Sequence, residues 1–124
     1  MRAYSVAISS LALDAPLKWT DNTISQHAVH GVVSAQRGVA RRISFPALLI
    51  LAVARELQVE LHLSTSAALA VAHQLTQPGG ESGIRHGAIH LSVDVAAVRH
   101  RLEQRLADAM ESAPAPRRGR PPGT

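Results

Sequence analysis

A mainly α-helical chain with a small β-hairpin, a C-terminal strand-helix element and a disordered tail is predicted from three observations. Apolar residues recur at helical spacing at 50, 53, 57 and 61, and again at 95, 98, 102, 106 and 109. Two short valine-bearing runs flank a glycine-containing turn within residues 31–43. Residues 113–124 hold only small residues, proline, arginine and one threonine, which cannot build a core. The chain has 124 residues and is 46% hydrophobic, with one Phe, one Tyr and one Trp, so its core is aliphatic and alanine-rich. Cores of that kind are often completed by a second subunit, and a homodimer is expected.

The elements follow in order. Residues 4–13 carry Val6, Ile8, Leu11 and Leu13 among small residues and predict a short helix packed by alanines. Asp14-Ala15-Pro16 breaks it; Pro16 suits the first turn of the next helix, with Asp14 as its cap. Residues 17–27 then predict a second helix. Leu17, Thr20 and Ile24 face inward, and Lys18, Asn22, Ser25 and Gln26 lie on the polar side. The hairpin 31–43 carries Arg37, Arg41 and Arg42 on its tip and second strand. Ser44 caps a helix starting near Pro46, with Ile50, Val53, Leu57 and Leu61 inward and Arg55, Glu56, Gln58 and Glu60 mostly outward. His62-Leu63 turns the chain, Ser64 caps again, and residues 67–75 form an alanine-rich helix.

Residues 78–83 read as a linker, rich in glycine after Pro78. Beyond it Ile89, Leu91 and Val93 alternate with His90 and Ser92, the pattern of a half-buried strand. Asp94 caps an amphipathic helix whose stripe is Val95, Val98, Leu102, Leu106 and Ala109. The expected organisation is a folded unit over 1–77, the linker 78–83, a strand-helix dimerisation element over 84–112 and the basic tail 113–124.

Charge is unevenly spread. Residues 1–55 hold six basic and two acidic side chains, residues 56–112 four and seven, and the tail three arginines and no acid. Two basic regions around an acidic middle suit a polyanion met from one side. An arginine-preferring composition is the other source of such a pattern, since twelve of the thirteen basic residues are arginine. Absence of cysteine excludes disulfides and thiolate metal sites and fits a reducing compartment. With no signal-type apolar region and no run of membrane-spanning length, a cytoplasmic, nucleoid-associated protein is expected, without membrane contact.

Two resemblances direct these features toward double-stranded DNA. Arg117-Arg118-Gly119-Arg120-Pro121 resembles the AT-hook, a peptide that lies in the minor groove. Gly119 lets the backbone sink to the groove floor while Arg118 and Arg120 spread along it, and narrow A·T-rich grooves attract inserted arginines. A purely compositional Pro/Arg/Gly tail is the competing reading. Across residues 4–76 the element order resembles the winged helix-turn-helix DNA-binding domain of the MerR superfamily. Tyr4-Ser5-Val6 looks like the opening of that family's first helix, and Gly38 with Arg41-Arg42-Ile43-Ser44 looks like its wing and the following cap. Residues 16–27 fall where its recognition helix lies, without the usual Arg-Tyr-Tyr-Glu run. No effector-binding cysteines and no long C-terminal coiled-coil helix are present, so metal or drug sensing does not carry over.

The resemblance implies a small transcriptional regulator whose recognition helix reads base edges. Asn22 and Gln26 can pair with adenine, Lys18 with guanine or a phosphate, and Ser25 shares their face. Arg37, Arg41 and Arg42 suit phosphates. Trp19 is either an anchor to the core or a DNA contact. Seven histidines lack the acidic partners and spacing of a metal site. No P-loop, nucleophile elbow or dinucleotide fingerprint occurs, so neither an enzyme nor a cofactor is expected. A protein-interaction or accessory module, antitoxin-like or of phage type, is the alternative. It would act through the lone strand and the apolar stripe of 84–112.

Overall fold

Short polar caps open four of the five described helices. The computed structural model describes residues 2–33 and 40–112. Ser5 accepts from the Ile8 amide at 3.2 Å and opens α1 (Val6–Leu13). Ser44 opens α3 (Phe45–Leu61), Ser64 opens α4 (Thr65–Leu75), and Asp94, accepting from the Ala97 amide at 3.0 Å, opens α5 (Val95–Ser112). Between α1 and α3 lie α2 (Leu17–Gln26) and two strands, β2 (Val32–Val33) and β3 (Arg42–Ser44). A strand β1 (Ala3–Tyr4) precedes α1, and β4 (Ile84–His86) with β5 (Ile89–Leu91) precedes α5. The described residues thus form a mainly helical small domain with two small antiparallel sheets.

The first sheet has the order β1-β3-β2, with Ile43 fully buried at its centre opposite both Tyr4 and Val32. The two strands of the expected hairpin therefore pair, and β1 adds a third strand that the sequence pattern hides. Tyr4 belongs to that strand and not to the first helix, because Ser5 holds the extended backbone of a cap. The hairpin tip, with Arg37 and Gly38, and the tail 113–124 lie outside the described residues. Gly31, at φ +99°, passes so close to the start of α3 that a Cβ there would run into Ser44 Oγ.

One aliphatic core joins the five helices of the described residues. α3 is its axis, contributing Ala47, Leu48, Leu49, Ile50, Leu51, Val53, Ala54 and Leu57. α4 packs Ala68, Leu69, Ala72 and Leu75 against it. Small residues on α1 (Ser9, Ser10 and Ala12) allow α2, α3 and α5 to approach closely. Among the described residues no buried side-chain nitrogen or oxygen lacks a hydrogen-bond partner.

Several expectations are corrected. Asp14 does not cap α2; it ends α1 in the left-handed region at φ 52°, a conformation aspartate tolerates, and Pro16 occupies the cap position without a side-chain bond. Leu17 is 56% exposed, because the inward face of α2 is Thr20, Thr23 and Ile24. Leu61 is also exposed, one residue before the left-handed His62 that ends α3. Residues 78–83 contain a 3-10 turn, Gly80–Ser82, whose Gly80 is buried against the end of α4. The strand at 89–91 is not alone: it pairs with β4 across Gly87, and Ile89 is 70% exposed. Ile84, Leu91 and Val93 pack on the core instead. Val98, Leu102 and Leu106 on α5 lie in the same core as α1 and α3, so the stripe is covered within the chain.

Candidate nucleic-acid interface

The inner side of α2 is fastened at three points. Thr20, fully buried, accepts a hydrogen bond from the Ser10 hydroxyl at 2.7 Å, tying α2 to α1. The Trp19 indole N–H donates to Gln58 Oε1 at 2.9 Å, and Gln58 Nε2 donates to Thr65 Oγ1 at 3.0 Å and to the Leu63 carbonyl at 3.3 Å. One glutamine thus links α2 to α3 and to the turn before α4. The Arg55 guanidinium sits 5.1 Å from the centre of the Trp19 ring, a cation–π distance. Trp19 is therefore the core anchor of the two roles open to it.

The outer side is then set by helix geometry. With Thr20, Thr23 and Ile24 inside, Lys18, Asn22, Ser25 and Gln26 all fall on the exposed side. Asp21 lies beside them, half-buried.

Arg41 closes the gap between this helix and the hairpin. Its Nη1 donates to Ser25 Oγ at 2.6 Å and its Nη2 pairs with Asp21 Oδ1. The Ser25 hydroxyl donates in turn to the Asp21 carbonyl at 2.7 Å. The pair stays in contact with solvent, with the Arg41 side chain 27% exposed and that of Asp21 50%. Arg42 is exposed on β3 opposite Val33, while its neighbour Ile43 points into the core. Arg41 and Ser25 are thus in direct contact, and Lys18, Asn22 and Gln26 lie on the same helix as Ser25. Arg37, Arg117, Arg118, Gly119 and Arg120 lie outside the described residues.

Sequence reasoning did not single out Asp21 or Gln58. Asp21 and Ser25 stand four apart, which places them on one helical face, but their partner follows sixteen or more residues later. Arg41 stands just before β3, whose register against β1 and β2 sets where it emerges.

Behind the far end of α2, Ile24, Val29, Val32, Ile50 and Leu69 floor an open cleft of about 610 Å³, with His27, His30 and His73 on its walls. Among the described residues no group of histidine, aspartate or glutamate side chains could hold a metal ion, and no helix is long and apolar enough to cross a membrane. No protein-family model, curated protein or solved structure matches this chain.

Proposed function

We propose that the chain is a small DNA-binding regulator built as a MerR-like winged helix-turn-helix, with α2 in the major groove and the β2–β3 hairpin as the wing on the backbone. The observation that carries this reading is the Arg41 bridge. One side chain from the hairpin bonds to the outer face of α2, so the helix and the hairpin offer a single surface. Support comes also from the three-residue break, residues 14–16, between α1 and α2 and from the inward anchoring of Trp19. A helix held rigidly on one side can present Asn22 and Gln26 to base edges on the other.

In this reading Lys18 and Arg42 contact phosphates, and the tail arginines add a tethered minor-groove contact that raises affinity without sharpening base choice. A partner protein gripped by the apolar stripe of α5 is disfavoured, since Val98, Leu102 and Leu106 are already covered by α1 and α3.

Fluorescence anisotropy of the full chain on duplex DNA across a salt series tests the proposal. With about five phosphate contacts, log affinity should fall against log salt with a slope of about −4.5. The double substitution Asn22→Ala, Gln26→Ala should flatten site preference by about 1–3 kcal/mol per lost pairing. Affinity that ignores salt, or no binding to any duplex, defeats it.

A further inference from the structure

Asp21 is the only acidic residue of α2, and it stands on the side that carries the polar candidates for base contact. A lone carboxylate there would repel phosphate. It is not alone, because the Arg41 guanidinium is held between its Oδ1 and Ser25 Oγ. A pair this open to solvent on its carboxylate side contributes little to folding, so stability is not a sufficient account of it. Its stronger effect is on what Arg41 is free to do. A guanidinium facing carboxylate releases no counterion when DNA arrives, whereas one facing phosphate does.

We infer that Asp21 is an internal competitor for the DNA backbone: it holds the wing arginine Arg41 out of sequence-independent phosphate contact and so lowers affinity for random DNA. The inference rests on the DNA-binding reading above. Lys18 and Arg42 have no such partner among the described residues and carry the phosphate contacts. Binding to arbitrary duplex is mostly electrostatic, so one cation withheld weakens it directly. Contacts made by Asn22 and Gln26 to bases are untouched, and the ratio of specific to random binding rises.

The test is a double-mutant cycle on the full chain: the natural protein, Asp21→Ala, Arg41→Gln and the double variant, each titrated with a random-sequence duplex between roughly 50 and 200 mM KCl. Asp21→Ala should tighten binding several-fold and steepen the salt slope by about one unit, the value of one added phosphate contact. Arg41→Gln alone leaves Asp21 unpaired and should weaken affinity while the slope stays where it is, and the double variant should return to the affinity and slope of the natural protein. Two results would overturn the inference while leaving DNA binding intact. One is a slope that flattens by about one unit in Arg41→Gln alone, which would put Arg41 on phosphate already. The other is a gain from Asp21→Ala that survives in the double variant, which would reduce Asp21 to a simple repeller. Failure of the natural protein to bind any duplex would remove both the inference and the reading beneath it. Far-UV circular dichroism of the four proteins should superimpose, since both side chains are partly exposed.

Discussion

Gln58 joins three segments through one amide, accepting from Trp19 and donating to Thr65 and to the Leu63 carbonyl. Its removal leaves the half-buried indole N–H without a partner. Gln58→Ala should therefore lower unfolding free energy by about 1–3 kcal/mol, read from the midpoint of urea denaturation. Trp19→Phe, which keeps a ring beneath Arg55 but loses the N–H, should cost about 0.5–1.5 kcal/mol. Equal stability of both variants and the natural protein would show that α2 is held by apolar burial alone. The anchoring role of Trp19 was open to a reading of the residue itself, since a large ring with a single donor needs both apolar cover and an acceptor. Which acceptor was not: Gln58 stands thirty-nine positions away, on a helix side that helical spacing marks as mostly outward. The same holds at Asp21, whose partner is fixed by strand register and not by helical spacing.

The caps of α3, α4 and α5 were the most legible features, because a cap is a local event. Ser44, Ser64 and Asp94 each bond the amide three residues on, and each stands within three residues of the apolar pattern it opens. Strands of two or three residues are the reverse case. β1 and β4 are too short for alternation to register, and they exist through partners at Ile43–Ser44 and Ile89–Leu91. α5 was legible as an amphipathic helix, but not what its stripe would meet. Small residues on α1 make room for it, and Leu102 is 2% exposed. Leu102→Ala should cost about 2–5 kcal/mol of stability in the isolated chain, measured by chemical denaturation with an unchanged urea dependence. A loss near zero would mean that α5 detaches and is free for a partner.

Across the molecule, basic residues dominate positions 1–55 and the tail, and acids dominate the stretch between them. If DNA meets the α2 and hairpin side, the basic tail supplies a second, tethered contact. Deleting residues 113–124 should then weaken binding to all A·T-rich duplexes alike and flatten the salt slope by up to about three units, while the ranking of sites holds. A changed ranking in a competition gel shift would assign the tail a share in base choice. DNA binding of this form requires α2 and the hairpin to touch the duplex together. Amide chemical-shift mapping of the labelled chain during titration with a short A·T-containing duplex reads this residue by residue. Shifts concentrated at Lys18, Asn22, Ser25, Gln26 and Arg42, moving in parallel, are the predicted result. Shifts confined to β4, β5 and the outer face of α5, with α2 unmoved, would contradict it.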